Sequence, residues 1–101
     1  MKLDQTFSEH RRLAILRVLA MAPGYRANCS ILEGAVNRVG VDSTRTQIRN
    51  EMRWLSEQGL ATLEEDLAPY LVAVATTDGI AVSQGKIMRI GVQKPAPTDR
   101  G

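Results

Sequence analysis

Cysteine and histidine are almost missing from this chain of 101 residues, with Cys29 and His10 the single examples of each. No internal disulfide can form, and no zinc site can be assembled from Cys and His. So little cysteine fits a reducing compartment, and the expected location is the cytoplasm. Aromatic residues are also scarce. Phe7, Tyr25, Trp54 and Tyr70 are the whole set, so the core must be built mainly from aliphatic side chains. Long hydrophobic runs are missing as well. The longest, Leu13 to Met21, is interrupted by Arg17 and is too short to cross a bilayer, and the N-terminus lacks the layout of a signal peptide. No membrane partner is expected. Catalytic signatures are lacking too: there is no Gly-rich phosphate loop, no metal-ligand spacing and no nucleophile motif. Glu64, Glu65 and Asp66 form a charge cluster with no partner suited to acid–base work. The expectation is therefore a protein that is not an enzyme, with no cofactor, no metal and no small-molecule substrate.

What is present suits one domain with one core. The formal charge is +2, a mild basic excess compatible with a polyanionic partner. It is unevenly distributed. Residues 1–60 carry nine Lys or Arg and six Asp or Glu, residues 61–79 carry four acids and no base, and residues 80–101 are again basic.

The first helix is expected from Thr6, which has capping-box spacing to Glu9, to Met21, just before Pro23-Gly24. Leu13, Leu16 and Ala20 share one face, while Ile15 and Val18 point elsewhere. A single core contact does not use both faces. Either later elements wrap this helix or it pairs with a second copy, and a homodimer is the favoured reading. After the turn "PGYRAN", a second helix capped by Asn28 or Ser30 carries Ile31, Leu32, Ala35, Val36 and Val39 at helical period. Gly40 ends it, with Val41 folding back.

A short turn leads to a third helix over residues 44–58. Ser43 or Thr44 starts it, Gln47 is the reciprocal partner of Thr44, and Ile48, Met52 and Leu55 form its buried stripe. Gly59 ends it and Leu60 seals the end. "LATLEE" and "YLVAVAT" then read as a hairpin around "DLAP", with Pro69 in the loop or opening the returning strand. Thr76 or Thr77 caps a short helix to Gln84. "KIMRIGV" is expected to lie against the body or a second subunit. Residues 1–94 are thus expected to form the domain and 95–101 a disordered tail. The fold class is α+β, mainly α with a small antiparallel hairpin.

Three helices followed by a hairpin match the order of elements in a winged helix-turn-helix domain. "RNEMRWLSEQGLATLEE" resembles the end of the recognition helix and the first wing strand of many winged-helix regulators, with Gly59 and Leu60 in the L-x-x-x-G-L pattern. "TTDGIAV" resembles the Thr-x-x-Gly start of the helix after the wing, through Thr76 and Gly79. The segments His10–Leu19, Pro23–Asn28 and Trp54–Leu60 resemble the "HRRLAILRLL", "PGY-x-AN" and "WL-x-EQGL" patterns of small regulator-like proteins of Mu-like phages and prophages; Val18 is an apolar departure. The resemblance covers roughly residues 9 to 94. The winged-helix resemblance implies double-stranded DNA as partner and transcription regulation as function.

The third helix supplies suitable chemistry. Opposite Ile48 stand Thr46, Asn50 and Arg53, with Arg49 on the flank and Arg45 in the first turn. Arg reads guanine and Asn reads adenine bidentately in the major groove. Ser43 and Thr44 sit at the helix N-terminus, where phosphate is favoured. The expected DNA-binding set is therefore Ser43, Thr44, Arg45, Thr46, Arg49, Asn50 and Arg53. The acidic hairpin argues the other way, because a wing that grips phosphate carries Lys or Arg. Arg11, Arg12 and Arg17 of the first helix, with the basic tail, are candidates to compensate. The competing reading is a protein-interaction module that uses the acidic hairpin and Trp54. Trp54 is otherwise expected to pack on its own hairpin, Cys29 to be a small buried residue, and His10 to be solvated.

Overall fold

Five helix ends and starts are set by local chemistry, and they fix the order of elements. In the computed structural model, which describes residues 2–67 and 70–96, helix α1 (Leu3–Met21) is followed by a 3-10 turn (Pro23–Tyr25) and strand β1 (Arg26–Asn28). Then come α2 (Cys29–Arg38), α3 (Arg45–Glu57), β2 (Ala61–Leu67), β3 (Tyr70–Ala75) and α4 (Thr77–Ser83). Asn28 caps α2 by accepting the Ile31 N–H, and Thr76 caps α4 by accepting the Gly79 N–H. Thr44 and Gln47 form the reciprocal capping box of α3. Gly40 and Gly59 take φ values of 90° and 74°, and Val41 and Leu60 donate back to Val36 and Leu55.

Three expectations are corrected. The first helix starts at Leu3, not Thr6. Its N-cap is Lys2, whose side chain caps nothing, and the Thr6 hydroxyl donates to the Lys2 carbonyl from inside the helix. Ser30 lies inside α2 and does not cap it. The end of "PGYRAN" is a strand: β1 pairs antiparallel with β3, Arg26 opposite Val74 and Asn28 opposite Val72. The sheet order is β1-β3-β2, all antiparallel. Pro69 and residues 97–101 lie outside the described residues, so its place in the hairpin and most of the expected tail do too.

The helices cover one face of this sheet. On β3 the side chains of Leu71, Ala73 and Ala75 are buried, while Tyr70 is exposed and Val72 and Val74 are half-buried on the other face. The inward cross-strand pairs are small, Ala27 opposite Ala73 and Ala61 opposite Ala75. They leave room for the large aliphatic residues of the helices. Ile15, Leu16, Leu19, Leu32, Ile48, Met52, Leu55 and Leu60 are fully buried there, each contributing about 1.5–3 kcal/mol of burial. α1 is wrapped: it packs on α2, α3, α4 and β3. Both faces that motivated pairing of α1 with a second copy are thus satisfied inside the chain, Leu13, Leu16 and Ile15 being buried and Val18 packed against the core.

α4 comes very close to the start of the hairpin. Thr76 donates its N–H to the Leu60 carbonyl and its hydroxyl to that of Gly59. A Cβ on Gly79 would lie 2.0 Å from the Leu60 carbonyl oxygen. Gly79→Ala is expected to lower unfolding stability by at least about 2–3 kcal/mol, because backbone would have to move to admit the methyl. Urea denaturation followed by circular dichroism checks this, and wild-type stability would contradict it.

Candidate nucleic-acid interface

The orientation of α3 decides which of its residues meet solvent. Ile48, Met52 and Leu55 have no exposure, so Thr46, Asn50 and Arg53, nearly opposite, point outward. A second anchor works on the flank. Glu51 is buried, and two arginines from successive positions of α1 converge on it. Arg12 Nε lies 2.8 Å from Glu51 Oε1, and Arg11 Nη1 lies 3.7 Å from Oε2. Arg11 also donates to Ser43 Oγ at 2.6 Å and to the Asp42 carbonyl at 3.0 Å. Arg12 donates to the Gly91 carbonyl at 2.9 Å and lies over the Trp54 ring, 3.9 Å from its centroid.

This junction changes the expected roles. Arg11 and Arg12 are structural anchors, not compensating phosphate contacts. Ser43 accepts from Arg11, donates to the Val41 carbonyl at 2.8 Å and exchanges two backbone hydrogen bonds with the Asn37 side chain. Its hydroxyl is thereby held inside the α2–α3 turn. Thr44 uses its hydroxyl on the Gln47 N–H at 3.1 Å. Trp54 packs against Arg12 and Gly91. A Cβ on Gly91 would sit 2.6 Å from the Trp54 ring, which leaves only a glycine there. Besides Gly91, the segment after α4 is fastened at three further points. Arg89 donates to the Gln58 carbonyl at 2.7 Å, Gln93 donates its N–H to Glu9, and Val92 packs on the core. Its Met88 and Ile90 remain exposed. Cys29 is fully buried and His10 is exposed, as expected from the sequence.

Thr46 and Asn50 are exposed, and no other described side chain bonds to them. Arg49 is half-buried and engaged within the fold. Arg45 pairs with Glu33 of α2, a contact that raises its already high pKa. Arg53 lies 3.5 Å from Glu65 of β2. On the neighbouring sheet, Arg26 Nε bonds Glu64 at 2.8 Å. Two of the acids expected to repel DNA from the hairpin are therefore partly neutralised by arginines of the same chain. Sequence spacing could not reveal these pairs, since partners lie 12 residues apart in one case and 38 in another. Glu51 was missed for a related reason, because its helical position lies beside the buried stripe and its partners are 39 residues away.

The chain is 36% identical over 95 residues to gp26 of Escherichia phage Mu, which is described as an uncharacterized protein; the match spans 94% of this chain and 97% of that one. It is 40% identical over 76 residues to an uncharacterized protein of Haemophilus influenzae, covering 75% of this chain and 74% of the relative. No family model and no solved structure matches the chain. Among the described residues, no helix is long and apolar enough to cross a membrane.

The two kinds of arginine contact differ in energetic weight. Glu51→Gln is expected to destabilise the fold by about 3 kcal/mol, because it leaves buried guanidinium groups without their counter-charge. Arg45→Ala and Arg53→Ala, which break exposed pairs, are expected to cost at most about 1 kcal/mol each. Urea midpoints of the three variants test this ordering.

Proposed function

The chain belongs to the family of the phage Mu protein gp26, and from that premise we propose that it is a winged helix-turn-helix regulator of a phage or prophage that binds double-stranded DNA without catalysis. Helix α3 enters the major groove in this reading. The observation that carries it is the outward face of α3. Thr46 and Asn50 stand there with unengaged hydrogen-bonding groups, flanked by Arg45, Arg49 and Arg53. The element order supports it too: a short turn joins α2 to α3, and a β2–β3 hairpin follows with β1 pairing beside it. Asn50 suits adenine and the arginines suit guanine or phosphate. Ser43 and Thr44 act by shaping the turn and capping α3, their own backbone N–H groups being taken by the side chains of Asn37 and Gln47.

A second reading keeps the fold as a protein-interaction module of a phage component. It is favoured by the carboxylates on this side of the molecule, since Glu33 and Glu65 occupy Arg45 and Arg53, and Glu57 is exposed at the end of α3. Pairing of two copies is part of the DNA-binding proposal. With the apolar second half of α1 used inside the chain, the surface for it is around Leu3, Phe7 and Val39, where Phe7 and Val39 line one shallow groove.

Two measurements test this reading. Binding to mixed-sequence duplex across a salt series is expected to weaken steeply with salt. Arg49→Ala/Arg53→Ala is expected to weaken it further and reduce the logarithmic salt slope by about 2. No binding by the native protein at low salt would reject DNA and favour the interaction module. Light scattering at high protein concentration is expected to give a dimer mass, and a monomer mass throughout would remove the pairing.

A further inference from the structure

Arg45 and Arg53 reach their partners from opposite ends of the α3 face. Arg45 stands in the first turn and is held by Glu33 of α2; Arg53 stands two turns later and is held by Glu65 of β2. The clamping carboxylates therefore come from two separate elements that border the same face. Both pairs are exposed, with side-chain accessibilities of 43% and 31% in the first and 45% and 69% in the second. Exposed pairs of this kind are weak and open readily. An arginine fork fits a carboxylate and a phosphate with nearly the same geometry.

We propose that Glu33 and Glu65 act as built-in phosphate mimics, an electrostatic latch that backbone phosphates of duplex DNA must displace from Arg45 and Arg53. The inference rests on α3 being the DNA-binding face. In the free protein, the two carboxylates occupy the forks and lower the positive potential that would draw in any duplex. On binding, each arginine exchanges carboxylate for phosphate, and the released carboxylate is left beside a polyanion. The exchange is unfavourable unless the remaining contacts, from Thr46 and Asn50 to base edges, are also made. The latch thus weakens binding to any duplex by the same exchange cost, and a duplex whose bases Thr46 and Asn50 contact offsets it. It also gives the acidic hairpin a role in a DNA-binding protein.

The test compares the native protein, Glu33→Gln/Glu65→Gln, and a control with the same charge change on other elements, Asp4→Asn/Asp78→Asn. Asp4 and Asp78 lie in the first turns of α1 and α4. Fluorescence anisotropy with a labelled mixed-sequence duplex is read at low and high salt. Glu33→Gln/Glu65→Gln is expected to tighten binding about tenfold at low salt, roughly threefold per carboxylate, with the gain shrinking as salt rises. The control is expected to tighten it by less than about twofold. If the native protein binds but the glutamine variant binds no more tightly, or the control gains as much, the latch is overturned while the DNA reading stands. If neither native protein nor glutamine variant binds at low salt, both are overturned.

Discussion

A single buried carboxylate organises this molecule. Glu51 sits on the flank of α3, and its burial is tolerable only because Arg11 and Arg12 of α1 meet it there. Each arginine then reaches further. Arg11 holds the α2–α3 turn through Ser43 and Asp42, and Arg12 holds the segment after α4 through Gly91 and the ring of Trp54. Four parts of the chain are registered around one charge. A buried ion cluster adds little net stability compared with apolar packing, but it is intolerant of misplacement. It therefore fixes the rotation of α3 more sharply than the aliphatic stripe of Ile48, Met52 and Leu55 would alone. That rotation places Thr46 and Asn50 outward.

The arginines consequently divide by environment. Arg11 and Arg12 of the first helix, which look available in the sequence, are structural, sealed at the junction. Arg45 and Arg53 of the third helix stay at the surface in weak, exposed pairs. The second kind can exchange partners at small cost, and they border the exposed Thr46 and Asn50. The mild net charge of +2 hides this division, because the acids of the hairpin and of α2 are matched against arginines within reach.

Much of this architecture is legible in the sequence where the cause is local. Thr44 with Gln47, Gly40 with Val41, Gly59 with Leu60, and Thr76 before α4 all act within a few residues, and each is found at its expected place. The start of α1 was not legible, since Lys2 gives no capping signal and Thr6 with Glu9 imitates one. Strand β1 was missed because three residues carry no period of their own and become a strand only by pairing with β3, more than 40 residues on. The outward face of α3 followed from periodicity, but Ser43, Arg45 and Arg53 acquire their contacts from distant residues. The contact of Trp54 with Gly91 was not legible, because Gly91, which fits against its ring, lies far along the chain. Gly79 matched a family pattern, and the structure supplies the reason: no side chain fits against the Leu60 carbonyl.

The central claim is that the outward face of α3 contacts duplex DNA. The most direct measurement is amide chemical-shift mapping of the labelled protein during titration with a short duplex at low salt. The expected result is a set of perturbations centred on residues 44–53, with the side-chain amide of Asn50 among the largest and the buried junction around Glu51 intact. Perturbations confined to the β2–β3 hairpin or the far side of α1, or none at saturating duplex, would contradict it.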